Sequence, residues 1–305
     1  MKHYDVVGLG FSTLDVLGSV DEFPEVGTLV ESPMFVEEGG GPAATAIVAL
    51  ARLGVSTTLI SALGGDDRGA TIKRQLQREG VDVEYLLMRD GQVSPLSFIL
   101  VDGQSGERTI IYSWGTVEKM KVEEVPLEVV ARAKVLHVDG FHVKAQLYAA
   151  NYAVEKRIPV VLDAGVMFEG IDELVRCSDH VVSSHAFATE LTGEQDAEKA
   201  AKKLYKMYGH TSIVTAGENG GFCVSNEEEF AYPAFPVDVV DTTGAGDVFH
   251  GAYVYGVLQR WPLKKTVNFS RIVAALKCRH IGGRRAIPTL IEAMDTMEKV
   301  GAVDW

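Results

Sequence analysis

Asp241-Thr242-Thr243-Gly244-Ala245-Gly246-Asp247 puts a glycine turn, a helix start and a carboxylate into one short stretch. Gly244 and Gly246 lack Cβ atoms, so the backbone can turn tightly and bring its amides close to an anion. Val248 to Tyr255 follow as a mostly apolar helix, whose first N–H groups have no partner within the helix and point at whatever sits over the turn. A transferring phosphate suits that place, and Asp247 beside it is able to accept the proton of an attacking hydroxyl. A lone Gly-x-Gly-Asp also reads as an N-capping Asp on an ordinary buried helix.

Outward from this stretch, short β-branched runs alternate with helix-period segments. Tyr4–Gly10, Thr57–Ser61, Val135–Val138, Pro159–Asp163, His180–Ser183 and Ser212–Thr215 read as strands with helical patterns between most of them. That alternation predicts an α/β fold with a central, mostly parallel sheet covered by helices. Leu29–Glu37 and Leu96–Ser113 break the rhythm: alternating strands around a Val101-Asp102-Gly103-Gln104-Ser105-Gly106 turn predict a small β-rich insertion. It reads as a lid, formed by about residues 11–37 and 95–115 and inserted into one domain spanning 1–305. Closure would shield a phosphoryl donor from water. A plain edge hairpin is the alternative.

A chain of 305 residues that is 47% apolar can bury a large core, which sets disorder aside. Its net charge of -13, with Lys and Arg scattered among acids, argues against a nucleic-acid partner. Cys177, Cys223 and Cys278 lie far apart with no CxxC pair, so neither a disulfide framework nor a zinc site is indicated and a reducing compartment is expected. No apolar run approaches the length of a membrane span, and the N-terminal apolar run is too short for a signal sequence. A cytoplasmic protein without membrane contact is the expectation.

Gly8-Leu9-Gly10-Phe11-Ser12-Thr13 follows a strand but is no dinucleotide fingerprint: Thr13 replaces the third glycine, and Leu14 to Gly18 continue as extended chain. No Walker-type GxxxxGK[ST] is present. Glu38 to Ala46 is rich in glycine, with Gly40 and Gly41 allowing close ligand approach, and runs into a helix ending near Arg52-Leu53-Gly54; a helix entry with proline in its first turn reads the same way. Ile213 to Gly221 reads as strand, turn and strand. His142 follows a strand end, where α/β proteins place ligands, whereas His250, one turn beyond Asp247, reads as a packed side chain.

The full stretch 241–247 resembles the C-terminal signature of the PfkB (ribokinase-like) carbohydrate kinases, and the glycine segment at 39–54 resembles their N-terminal signature. The resemblance implies a three-layer α/β/α fold with a β lid, dimers through the lid, and ATP-dependent phosphorylation of a primary hydroxyl with Mg²⁺. In it Asp247 is the base, and the Gly244, Ala245 and Gly246 amides form the anion hole. Asp15, Gly40, Gly41, Thr45, Ser97, Ile99 and His142 fall at the sugar; Ser184, Thr215, Gly217, Asn219, Thr243, Gly246, Arg271 and Ala275 fall at the nucleotide. Asp241, Thr243, Cys278 and Gly283 would hold K⁺.

The chain departs from the family pattern at three places. Thr45 stands where the family usually has an Asn that reaches sugar hydroxyls, and Ser184 and Phe187 replace the polar pair of an Asn-x-x-Glu motif before Leu191-Thr192-Gly193. Mg²⁺ is still expected, held through phosphates. Local stretches look most like the sulfofructose kinase branch, but Thr28, Tyr112 and Phe141 stand where its sulfonate-gripping cations align. An uncompensated anionic head group in a closed site is costly, so a neutral ketose or pentose is the expected acceptor. A nucleoside kinase is the rival, with Phe98, Tyr112 or Trp114 stacking on a base; a non-catalytic sensor would not need Asp247.

Overall fold

Consecutive residues of the central strands face opposite sides, and both sides are apolar, the pattern of a sheet covered on two faces. The computed structural model describes residues 2–301. Its strands are β1 (Tyr4–Leu9), β2 (Thr13–Val20), β3 (Phe35–Gly40), β4 (Thr57–Gly64), β5 (Leu86–Arg89), β6 (Leu96–Asp102), β7 (Arg108–Ser113), β8 (Ala133–Val138), β9 (Val160–Ala164), β10 (His180–Ser184), β11 (Thr211–Thr215), β12 (Gly221–Val224) and β13 (Glu229–Tyr232). Its helices are α1 (Pro42–Arg52), α2 (Asp67–Arg78), α3 (Leu127–Val130), α4 (Val143–Glu155), α5 (Ile171–Arg176), α6 (His185–Thr192), α7 (Ala197–Tyr208), α8 (Ala245–Leu258), α9 (Leu263–Lys277) and α10 (Leu290–Lys299).

The large sheet runs β13-β12-β11-β10-β9-β8-β1-β4-β5, parallel except for β12 and β13 at one edge. Val6, Leu59, Val135, Val161, Val182 and Ile213 pack under α1, α2, α8, α9 and α10. Their neighbours Val7, Ile60, Leu136, Leu162 and Val181 pack under α3 to α6. Each of the six runs read as strands lies in this sheet, with ends shifted by no more than a few residues.

The second sheet runs β3-β2-β6-β7. Its inner face, which carries Asp15 and Ser97 in register, is closed by Leu17, Val36, Ile99 and Val101. The outer face leaves Phe35, Phe98 and Ile111 exposed. The strand expected over Leu29–Glu37 forms only from Phe35 onward and continues to Gly40. Before it the chain turns: Gly27 has a positive φ of 88°, the Thr28 N–H donates to the Glu25 carbonyl, and Pro33 has no N–H to give a ladder.

Candidate active site

The loops leaving β1, β8, β9, β10 and β11 gather at the carboxyl ends of the parallel strands, where α/β sheets place ligands. Asp139, the residue after β8, ties the loops after β1 and β8 to the start of α1. One carboxylate oxygen accepts the N–H groups of Phe11 (2.7 Å) and Ala43 (3.1 Å); the other accepts Phe141 N–H (3.1 Å) and Gln146 Nε2 (2.8 Å). It thereby caps α1, whose N-cap residue Gly41 has no side chain to do so. Sequence reasoning passed over this residue because its partners lie up to 128 positions away.

Asp15 sits on the inner face of the small sheet, buried, with Oδ1 unpartnered. Burial pushes its carboxyl up to about 7, against the pull of Ser97 and of the Arg284 guanidinium, with Glu38 and Asp247 adding to the rise. Gly40 lies on the neighbouring strand two residues beyond the register partner Glu38, and a Cβ there would overlap the Asp15 carboxylate. Beside it, the buried Arg284 donates through Nε to Thr45 Oγ1 (3.1 Å) and through Nη2 to the Gly40 carbonyl (2.8 Å). Its own N–H donates to Glu38 Oε1 (3.2 Å). Thr45, standing where the family usually has Asn, is thus an anchor for an arginine.

Gly244 begins α8 in the left-handed region at φ +73°, and a Cβ there would come within 2.9 Å of the Gly283 carbonyl. Of the three expected amides the Ala245 N–H is taken by the Thr242 carbonyl at 3.1 Å and the Gly244 N–H is not, while the Gly246 and Asp247 N–H groups lie in the first turn at the helix end. Asp247, on that first turn, has its carboxyl raised by burial and eased back by the charges of His250, Arg108 and Arg284. His250 is packed as its spacing suggested, Nδ1 lying 2.6 Å from the Gly246 carbonyl and Nε2 3.1 Å from that of Val182. Asp163, at the end of β9 and 3.3 Å from His250 Nδ1, brings a further buried carboxyl raised by burial and by the charge of Asp247. The small sheet docks here too: Thr242 N–H and Oγ1 both donate to the Gly106 carbonyl at 3.0 Å, and Arg108 donates to Thr242 Oγ1 at 3.1 Å.

Thr215 ends β11, with Gly217 to Asn219 forming a single helical turn beyond it. Ser184 is spent on structure, donating to the Gly165 carbonyl and capping α6 at Phe187 N–H. Arg271 and Ala275 lie one turn apart on α9, with Arg271 bonded to Asn268 and to the Pro233 carbonyl. Three residues chosen for the acceptor or its rival stand elsewhere. Ile99 is sealed in the small sheet's core, and Phe98 points to the outer face because side chains alternate along a strand. His142 is buried behind Trp114, its Nδ1 accepting the Met120 N–H at 3.2 Å. Phe11, Phe141, Trp114 and Tyr112 instead form one aromatic cluster, with Phe11 stacked on Phe141 at 4.6 Å and Trp114 edge-on at 4.7 Å.

Among the described residues no group of three or more His, Cys, Asp or Glu is placed to hold a metal. An Mg²⁺ carried by nucleotide phosphates and waters fits that sparse donor set. At the positions named for K⁺, both Asp241 carboxylate oxygens accept backbone N–H groups, from Thr243 (2.8 Å) and Gly282 (2.7 Å), and the Cys278 carbonyl accepts those of Val240 and Asp241, while Thr243 Oγ1 is buried without a partner.

A carboxylate on the first turn of a helix with two outward amides, facing a second buried carboxylate on a docked sheet, is the equipment of a small-molecule phosphotransferase with a hydroxyl acceptor. Residues 4–290 match the model of the pfkB family carbohydrate kinases, and the chain belongs to that family. A ribokinase of Haemophilus influenzae is 28% identical over 306 residues, covering 94% of this chain and 98% of that protein. A nucleoside kinase of Methanothermobacter thermautotrophicus is 24% identical over 295 residues, covering 95% and 94%. Among solved structures, Arabidopsis thaliana ribokinase complexed with ribose and ATP superposes with a TM-score of 0.82 at 20% identity, covering 97% of this chain and 99% of that one, a likeness of fold. The protein is a sugar or nucleoside kinase.

Proposed function

We propose that this chain transfers the γ-phosphoryl group of ATP to a primary hydroxyl of a small neutral sugar, a ketose or a pentose. The observation that carries this is Asp247 on the first turn of α8, beside the Gly246 and Asp247 amides and electrostatically coupled to Asp15. Asp15 and Ser97 bind acceptor hydroxyls, with the Gly40 and Gly41 backbone alongside. Asp247 takes the hydroxyl proton, the oxygen attacks the γ-phosphorus, and the bond to ADP breaks as the helix-end amides stabilise the equatorial oxygens. Thr215, Gly217 and Asn219 line the nucleotide side, with Arg271 and Ala275 on α9. Mg²⁺, when bound with ATP, neutralises phosphate charge.

A neutral acceptor is supported by the charges around Asp15. The Arg284 guanidinium gives Nε to Thr45 and Nη2 to Gly40, with only Nη1 unpartnered, and its charge is already faced by Asp15 and Glu38, while Tyr112 and Phe141 contribute aromatic wall where a head group would need cations. The same wall favours one rival, a nucleoside whose base lies against Phe11, Trp114 and Phe141. ADP release with ATP and Mg²⁺ across ketoses, pentoses, sugar acids and nucleosides separates them. Turnover of an anionic sugar at least as efficient as any neutral one overturns the neutral reading, and a preference for purine nucleosides selects the rival.

The acceptor site also sets a pH dependence. A carboxyl titrating near 7 is protonated below that point, so kcat/KM for the acceptor is expected to fall as pH drops through about 7. Stability runs the other way. Between the ordinary carboxylate range and about 7 the folded chain holds a proton that the unfolded chain has lost, so rising pH lowers stability across that window. A pH–rate profile with a flat acid limb down to the ordinary carboxylate range would count against Asp15 as an ionised ligand.

A homodimer through the small sheet is supported by its bare outer face, where Phe35, Phe98 and Ile111 are 66%, 43% and 67% exposed. Ile111→Asp is expected to give a monomer by light scattering; an unchanged dimer places the interface elsewhere. Three free thiols support a reducing, cytoplasmic setting, and no helix among the described residues is long and apolar enough to cross a membrane.

A further inference from the structure

Lys277, the last residue of α9, is wholly buried, which a lysine rarely is without a purpose. Its Nζ donates to the Asp241 carbonyl at 2.9 Å, at the start of the stretch that forms the turn before α8. Burial holds its ammonium below the ordinary lysine range; among the groups around it Asp241 from that loop, Cys278 beside it on the chain and Glu38 from β3 favour the charge, and Arg108 from β7 opposes it. Of the groups that would hold K⁺, Asp241 and Cys278 are engaged with the protein itself, while Thr243 Oγ1 is buried without a partner. Asp241 has given its carbonyl to Lys277 and its carboxylate to two backbone amides, and Cys278 has given its carbonyl to two more. The Gly283 carbonyl packs beneath Gly244.

We propose that the ε-ammonium of Lys277 is a built-in cation that replaces a dissociable monovalent one, so that phosphoryl transfer by this chain needs no K⁺. The argument is geometric. A lysine ammonium is a compact point charge able to donate to carbonyl oxygens, as a bound cation would accept electron density from them. Its position fixes the Asp241 carbonyl, and Asp241 in turn holds the Thr243 and Gly282 amides on either side of Gly244. Lys277 is therefore a positioning residue for the helix end that carries Asp247. This inference rests on the phosphoryl-transfer reading, but part of its test does not.

The test compares wild type, Lys277→Met and Lys277→Ala in potassium, ammonium and tetramethylammonium chloride at equal ionic strength, by ADP release and by thermal melting. Wild-type kcat and melting midpoint are expected to be the same in all three salts. Lys277→Ala is expected to lose about tenfold or more in kcat in tetramethylammonium, the scale of one lost charge-assisted hydrogen bond. Ammonium or potassium should then restore part of that loss and raise its melting midpoint, a response that a merely structural lysine would not show. Lys277→Met, which fills the space without charge, should be impaired and unresponsive. Activation or specific stabilisation of the wild type by K⁺ overturns the proposal, as does a folded Lys277→Ala that is fully active in tetramethylammonium. If neither variant folds, the wild-type salt comparison still decides. Absence of turnover with every acceptor sinks the kinase reading, and the melting arm then judges the cation by itself.

Discussion

Asp247→Asn is expected to lower kcat by about 10²–10⁴-fold, the usual worth of a positioned general base, with little change in the KM for ATP. The amide keeps the size of the carboxylate, so α8 should form as before, yet it cannot take a proton from the acceptor hydroxyl. The two helix-end amides remain, which is why some turnover above background should survive. Stability should hold or improve, because burial already holds this carboxyl above its ordinary value and the charged form is disfavoured in the folded state. Both readings come from one preparation, by ADP release and thermal melting. Undiminished kcat in the folded variant would falsify the mechanism proposed for Asp247.

Gly40→Ala is expected to be nearly as damaging, through geometry alone. The new methyl would occupy the space of the Asp15 carboxylate, and the backbone on the other side cannot retreat freely because the Gly40 carbonyl is held by Arg284. Asp15 must swing away, so kcat/KM for the acceptor should drop by about 10²-fold or more, on the scale that an ångström of misplacement costs. The KM for ATP should stay within a few-fold, since Thr215, Gly217 and Asn219 leave the far strand β11. Equal damage to both substrates would point to a general collapse instead.

The sheet was legible because burial on both faces leaves a local mark: Val6-Val7, Leu59-Ile60 and Val181-Val182 are adjacent apolar pairs that face opposite helical layers. The residues 241–247 were legible for a similar reason, since turn, helix start and carboxylate are neighbours along the chain. What escaped notice depends on distant partners. Nothing around Asp139 announces four hydrogen bonds, and nothing in the run before Cys278 says that its lysine reaches the Asp241 carbonyl 36 residues back. In the small sheet the period of two was visible but its phase was not. Ser97 and Ile99 share a face, yet the first meets Asp15 while the second is sealed beside Leu17. Phe98, chosen as a base-stacking candidate, lies on the opposite face for that reason.

Arg284 grips Gly40, Thr45 and Glu38 from between 239 and 246 residues away in sequence. Loops that long close late, because their chain entropy is lost before any contact rewards them. During synthesis β2 and β3 can leave the ribosome with Asp15 already paired to Glu38 and Thr13 to Gly40, but the arginine that braces them follows every strand of both sheets. A chain cut before residue 284 would keep most of its sheet and lack a finished acceptor site. The acceptor pocket is thus a long-range construction, completed only when residues from the two ends of the described fold meet.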